Sequence, residues 1–377
     1  MDFQLSDDQR AIAEMAGSLF GDLCSDDRLR AFTASGDSWM PDLWAKCVET
    51  GLHALAIPEA AGGSGLGMTE LMLVLEAQGR GLGMVPLWRH QIAAATLDRF
   101  GAPAHQALID QATTGEALLS LALDGLAGST GVALEARPEG DGFALHGRVP
   151  ALPLGIESAA ALLPANTPDG LRLVLLRLDA EGLDKVAGMF THGEGVAELH
   201  CRGVLLSAAD VLPAAALAWV EPRAIAALAA LQLGVSAEQV RRTVAYVSER
   251  VQFERPIGSF QAVQMSLADA HMDIEALRST LWQLVYRLDA DLPAGPEALA
   301  TRYLACETGH RVGHRAQHVH GGIGVDLTYP IHRYLYWSRA LGLALGGSAA
   351  TLERLGDWLA NNDTLGWKYD LAEHPTL

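Results

Sequence analysis

The sequence predicts an α+β protein laid out in three stretches: helical, then β, then helical again. Three observations carry that prediction. Helix-start signals and apolar periodicity fill the chain to about residue 116. From about Ala117 to 212 there are short apolar runs separated by Gly, Asp and Pro clusters, the signature of a small β-domain. After Pro213 come Ala- and Leu-rich stretches near or above ~25 residues without internal proline, as in long helices packed along one another. The implied domains are 1–116, 117–212 and 213–377, and a chain of 377 residues can give each a core.

In the first stretch, Ser6-Asp-Asp is a cap for a helix running through Phe20, and Pro41 suits the first turn of a helix reaching Thr50. Pro58–Gly67 is a glycine-rich connector that lacks the Lys-Ser/Thr of a phosphate loop. Thr69–Glu76 is nearly continuous in apolar residues, as in a helix buried on several sides. The β runs are Leu118–Leu123, Val132–Ala136, Gly142–Val149, Leu171–Leu178 and Val196–Leu206. The final helices are Ala224–Val251, Gln261–Asp289, Glu297–His318, Ile331–Leu345 and Ala349–Asn361.

Composition narrows the function. A formal net charge of −18 excludes a nucleic-acid partner, which needs clustered Lys and Arg. Cys24, Cys47, Cys201 and Cys306 lack metal spacing and read as free thiols in a reducing compartment. The acidic start has no signal-peptide pattern, and the apolar stretch around Ala224–Val235 falls short of a membrane span. A soluble cytoplasmic protein without a metal is expected.

Two segments carry the chemistry: Glu249-Arg-Val-Gln-Phe-Glu-Arg-Pro-Ile-Gly-Ser-Phe-Gln-Ala-Val-Gln264 and His320-Gly-Gly-Ile-Gly-Val-Asp-Leu-Thr-Tyr-Pro330. With Leu43-Trp, Gly51-Leu, Ile57-Pro-Glu, Gly62-Gly and Val74-Leu-Glu-Ala-Gln-Gly-Arg in the same order, the whole chain resembles the acyl-CoA dehydrogenase family. That resemblance implies an N-terminal helical domain, a middle β-domain and a C-terminal four-helix bundle. It also implies FAD, α,β-desaturation of a CoA thioester, and tetramers built through the bundle. Arg250 would grip the FAD pyrophosphate with Phe253 packing nearby and Gln261 adding polar contacts. Gly321 and Gly322 would let backbone approach the cofactor, and His318 stands where relatives carry Gln. In the family these groups reach the FAD of the neighbouring subunit. Taken singly, Arg250 is also readable as a surface cation at a helix C-terminus, and Gly321-Gly322 as a plain C-cap.

The resemblance also exposes losses. The reaction needs a carboxylate base in a dry pocket, where desolvation raises its pKa. The family's two positions for it fall at Leu345 and about Ala224. The nearest candidate, Glu221, precedes Pro222 and is expected at a helix start; Glu353 and Glu254 read as solvated surface. The segments matching the family's flavin-ring contacts are Leu123–Ser129 and Arg148-Val-Pro-Ala-Leu-Pro-Leu154. The second has neither aromatic nor hydroxyl, and its two prolines are expected to disrupt a strand. Gly347-Ser-Ala-Ala replaces a Thr-Ser pair that grips FAD. Glu254 stands where the family has Gly, and would repel a pyrophosphate unless Arg255 pairs with it. His320 and His332 read as packing or turn residues.

Residues for a neighbour's FAD are thus present, while those for a ring and base of the chain's own are gone. The pattern resembles the base-lacking subunit of two-subunit acyl-CoA dehydrogenases of bacterial steroid side-chain degradation, as does Asp326-Leu-Thr-Tyr-Pro-Ile-His-Arg-Tyr with Leu345-Gly-Gly-Ser348. It implies an α2β2 heterotetramer with a homologous catalytic partner, a bulky acyl-CoA substrate, and an electron-transfer flavoprotein as acceptor. A homotetramer with a displaced base such as Glu221, and a flavin-free scaffold, stay open.

Overall fold

The first helix begins where a reciprocal cap allows it. Ser6 Oγ accepts from the Gln9 N–H at 3.1 Å, and Gln9 Oε1 accepts from the Ser6 N–H at 3.0 Å, so α1 runs Asp7–Leu23. The computed structural model describes residues 4–123, 125–126 and 131–362. Helices α2 (Asp26–Ser35), α3 (Pro41–Glu49), α4 (Met68–Gly81), α5 (Leu87–Phe100) and α6 (Gln106–Thr113) follow; Pro41 opens α3 and Thr50 caps it.

Strands β1 (Leu119–Leu121), β2 (Glu135–Glu139), β3 (Gly142–Pro153), β4 (Ala160–Thr167), β5 (Gly170–Arg177), β6 (Leu183–Met189) and β7 (Gly195–Ser207) form one sheet. Its order is β1-β4-β2-β3-β7-β6 with β5 paired to β4. β4 runs parallel to β1 and β2, and the other pairings are antiparallel. Leu145, Leu152, Val174, Leu176 and Leu199 fill the core on it. The C-terminal helices are α7 (Ala214–Glu249), α8 (Gln261–Asp289), α9 (Gly295–His320), α10 (Ile331–Ala344) and α11 (Ser348–Ala360), with α9 packed on α8, α10 and α11.

Chain contacts divide the protein into two compact units that cut across the order of element types. One comprises Met1–Asp26, Met72–Leu82 and Ile225–Leu377, the other Asp27–Leu71 and Gly83–Ala224. Within the first, α4 and α7 cross at two glycines. A Cβ on Gly79 would lie 2.3 Å from the Leu231 carbonyl oxygen, and one on Gly234 2.0 Å from that of Glu76. Only glycine permits this approach.

Three expectations need correction. Helix α7 starts at Ala214 and passes through Pro222, so Glu221 lies inside a helix and not at its start. Proline forgoes one ladder bond, and the burial of Ala216 and Val220 on the same helix outweighs that loss. Pro150 and Pro153 do not break β3: the register slips between Val149 and Leu152, so Pro150 sits in a bulge, and Pro153 ends the strand. By length and composition α7 is apolar enough to cross a membrane, against the reading of its sequence; 56% of its most apolar window is buried in the protein, as in a core helix.

Candidate functional site

The last turn of α7 ends at Glu249 because the chain turns back on itself immediately afterwards. The Arg250 N–H still donates to Tyr246 O at 2.9 Å, while the Arg250 carbonyl accepts from the Ile257 N–H at 2.8 Å. This closes a small hairpin of β8 (Val251–Gln252) and β9 (Arg255–Pro256), with Phe253 and Glu254 at its tip. Both tip residues have positive φ, +51° and +67°. Phe253 is 86% exposed and meets Phe260 edge-on at 6.1 Å. The Arg255 guanidinium lies 4.1 Å over the Phe260 ring, and no ion pair joins it to Glu254. Gln261, exposed, opens α8, whose N-terminus Phe260 leaves without a side-chain cap. Arg250 is exposed, and its guanidinium has no hydrogen bond or ion pair among the described residues.

The end of α9 is built differently. His320 is buried and stacks on Tyr246 with centroids 4.4 Å apart, while its Nδ1–H donates to Ala316 O at 2.8 Å. Burial draws the His320 imidazole below its ordinary pKa, and the neutral ring leaves Nε2 as a buried acceptor without a partner. The Tyr246–His320 stack ties the last turn of α7 to the last turn of α9. It thereby gathers Arg250, Phe253 and Gln261 at the same end of the helices as His318, Gly321 and Gly322. All six are exposed.

The glycines here differ in what holds them. Gly321 has φ +63° and ψ −140°, a conformation that only glycine adopts readily, and its N–H caps α9. A Cβ on Gly322 would meet nothing within 4 Å, so nothing in its own chain requires it to be bare. Gly324 is the opposite case: its Cβ would strike Gln317 Oε1 at 2.6 Å. An open backbone at Gly321-Gly322, an unpaired guanidinium at Arg250 and exposed donors on Gln261 and His318 suit an anionic dinucleotide approaching from outside the chain.

The positions expected to hold a base offer none. Leu345 is 2% exposed, and its carbonyl accepts from Arg302 Nε; Ala224 is 1% exposed. Glu221 is half-buried in α7. Among the described residues the buried carboxylates are Glu194 and Glu238. Burial pushes both upward, but Arg89 with His192, and Arg241 with Arg242, hold them below the usual carboxylate range. Neither can take a proton near neutrality.

Of the expected ring-contacting segment, Asp124 and Ala127–Ser129 lie outside the described residues. Ala122 and Gly125 line a pocket of about 230 Å³ together with Val149, Pro150 and Leu163. The two segments do meet, but β3 brings only apolar groups and Arg148, which pairs with Glu198 at 3.3 Å. Gly347, which replaces the threonine of a Thr-Ser pair, gives its carbonyl to Thr351 Oγ1 at 2.8 Å, an internal helix-start bond. The positive-φ hairpin tip and the His320 stack were not read from the sequence: no Asn-Gly marks the turn, and His320 shows no periodic signal.

Comparison with known proteins shows the family. Residues 6–116 match the acyl-CoA dehydrogenase N-terminal domain and residues 224–360 its C-terminal domain. Acyl-CoA dehydrogenase FadE27 of Mycobacterium tuberculosis is 34% identical over 372 residues, covering 96% of this chain and 99% of the relative. In the crystal structure of the ChsE4–ChsE5 complex from the same organism, one chain superposes with a TM-score of 0.91 at 33% identity, covering 96% of this chain and all, 100%, of that one. A variant of the Tcur3481–Tcur3483 steroid ACAD superposes at 0.89 with 39% identity, covering 94% and 98%. With both terminal domains matched and a relative this similar along nearly its whole length, the chain belongs to the acyl-CoA dehydrogenase family.

Proposed function

We propose that this chain is the non-catalytic subunit of a heteromeric, FAD-dependent acyl-CoA dehydrogenase. A homologous partner carries the base and the ring pocket, and this chain lends residues to the partner's FAD. One observation carries the reading. The six positions expected to hold FAD are exposed together at one end of the C-terminal helices, while both base positions are buried aliphatic side chains. Arg250 would hold the diphosphate, Gly321 and Gly322 would admit the cofactor to the backbone, and Phe253, Gln261 and His318 would line its approach. When bound, FAD supplies the hydride acceptor for α,β-desaturation of a CoA thioester.

The similarity to chains of the ChsE4–ChsE5 complex and of a steroid ACAD supports a homologous partner and a bulky, steroid-type acyl-CoA. A tetramer of two such chains with two partners, reoxidised by an electron-transfer flavoprotein in the cytoplasm, completes the reading. The segments 1–116, 117–212 and 213–377 are its functional domains. The homotetramer with Glu221 as base has less in its favour, because Glu221 is only half-buried within α7, and the buried carboxylates among the described residues, Glu194 and Glu238, are each paired with arginine. A flavin-free scaffold would leave the bare Gly322 and the unpaired Arg250 without a purpose.

Native mass spectrometry of the chain co-expressed with a homologous catalytic subunit tests this. The expected species is an α2β2 tetramer with two FAD, twice the one FAD per αβ pair. Arg250→Ala should strip FAD from that complex while both chains stay folded. A chain that binds one FAD alone and oxidises acyl-CoA unaided would overturn the proposal.

A further inference from the structure

Helix α11 carries a wider apolar arc than the described residues cover. Thr351 is fully buried, and Leu355 and Trp358, on the same side of the helix, are half-buried. Beside them Leu352 and Leu359, seven residues apart and so on one face, stand 47% and 48% exposed. Glu353 and Asp357 take the solvent side. The helix closes directly beyond this arc: Asn361 Nδ2–H donates to Asp357 O and Asn362 Nδ2–H to Trp358 O, each at 2.7 Å. The matched C-terminal family domain also stops at residue 360. Residues 363–377, outside the described residues, follow it. In them Leu365, Trp367, Tyr369 and Leu371 alternate with Gly366, Lys368 and Asp370, the period-2 pattern of an extended segment with one apolar side.

We propose that residues 363–377 turn back on their own chain and lay the Leu365–Leu371 apolar side over Leu352 and Leu359, as a strap on α11. Position and length carry the inference. Asn361-Asn362-Asp363 is a turn-forming run that begins two residues past Leu359. The strap therefore meets the arc at a high effective concentration, with no assembly step. Leu352 to Leu359 rises about 10 Å along a helix, and Leu365 to Leu371 spans about 20 Å when extended, so one pass covers the arc. Four apolar side chains and two exposed leucines then leave water together, which is the driving force. Gly366, Lys368 and Asp370 keep to the wet side. A second copy of the chain or the catalytic subunit would need its own matching surface; the strap is already attached. The proposal holds whether or not the heteromeric reading does.

The test is amide hydrogen exchange of α11, followed by mass spectrometry, in the full chain and in a chain ended after Asn362. Each is run over a dilution series, with α8 as the internal control for an intact fold. Removing the strap should speed exchange in α11 roughly tenfold and leave α8 unchanged. Trp367→Ala in the full chain should lose most of the same protection. Leu352→Gln with Leu359→Gln should lose it too, yet have no effect in the shortened chain, which separates strap contact from any change in the helix itself. The protection should not vary with protein concentration. If the full and shortened chains exchange α11 within about twofold of each other, no strap is seated and the inference fails. It fails equally if protection grows with concentration, which would place a second copy on the arc. Protection that appears only when the catalytic subunit is added would assign the arc to that subunit and also overturn the strap.

Discussion

His90 should make the stability of the second compact unit depend on pH in a window where its carboxylates are silent. The imidazole is fully buried on α5, with Nε2–H donating to Ala112 O at 3.0 Å and Nδ1 accepting from the Leu119 N–H at 3.3 Å. Those two bonds fix one neutral tautomer, and a proton on Nδ1 would face an N–H. Burial, with His53 beside it, lowers its pKa from 6.5 to about 3. The unfolded chain therefore binds a proton between these values that the folded chain refuses, and stability falls as the pH drops. Integrating from pH 7.5 to 5 gives a loss of about 2 kcal/mol from this group alone. His53, also lowered by burial, pulls in the same direction. Glu194, held below 4.5, acts only at lower pH. Urea unfolding followed by tryptophan fluorescence is the assay, because Trp44 lies edge-on to His90 at 5.0 Å. His90→Gln can keep both hydrogen bonds without titrating, so its stability should fall about 2 kcal/mol less than wild type across that window. Parallel pH profiles for the two proteins would refute the assignment.

Three further outcomes are expected. Gly234→Ala puts a methyl 2.0 Å from a backbone oxygen that cannot move aside, so the α4–α7 crossing should open at the upper end of the ~1–3 kcal/mol seen for overpacked cores, read by urea unfolding. Gly322→Ala, with nothing within 4 Å, should leave unfolding of the lone chain unchanged but reduce FAD retention in the complex, read by flavin absorbance after gel filtration. Glu194→Leu strands the buried Arg89, 2.6 Å away, and should cost ~3–5 kcal/mol; Arg89→Met with Glu194→Leu should recover most of that loss in a double-mutant cycle.

The sequence was most legible where an element answers to local rules. Ser6, Pro41 and the uninterrupted Gln261–Asp289 stretch gave α1, α3 and α8 closely. It was least legible where tertiary burial overrides pattern. Helix α5 carries Arg89, His90 and Gln91 in succession, which breaks any apolar period, yet all three are buried with partners elsewhere in the fold. Strand β6 is exposed along most of its length and so shows no alternation, and β4 is buried at six successive residues, a run that periodicity does not distinguish from a helix. The six FAD positions were legible only through resemblance. The turn that presents Phe253 was not, because its positive φ has no signature in Phe-Glu.

Residues that serve the fold can be separated here from residues held for another molecule by asking what their own chain would lose. Gly79, Gly234 and Gly324 are bare because a Cβ would strike backbone or a neighbouring side chain. Arg89, Arg242, Arg278 and Arg315 each hold a carboxylate. Packing accounts for these, and substitution there should register in unfolding. Among the described residues Gly322, Arg250 and Phe253 have no such account: no atom meets a Cβ on the first, no hydrogen bond or ion pair engages the guanidinium of the second, and no core covers the third. These three fall within the two short segments that the family resemblance assigns to a cofactor across an interface. Residues without an internal purpose would be expected to scatter over the surface. Their concentration at one end of α7 and α9 suits a cofactor shared across an interface, in a homomeric or a heteromeric enzyme alike; the hydrocarbon side chains of Leu345 and Ala224 at both base positions are what favours the proposed non-catalytic subunit over a self-sufficient dehydrogenase.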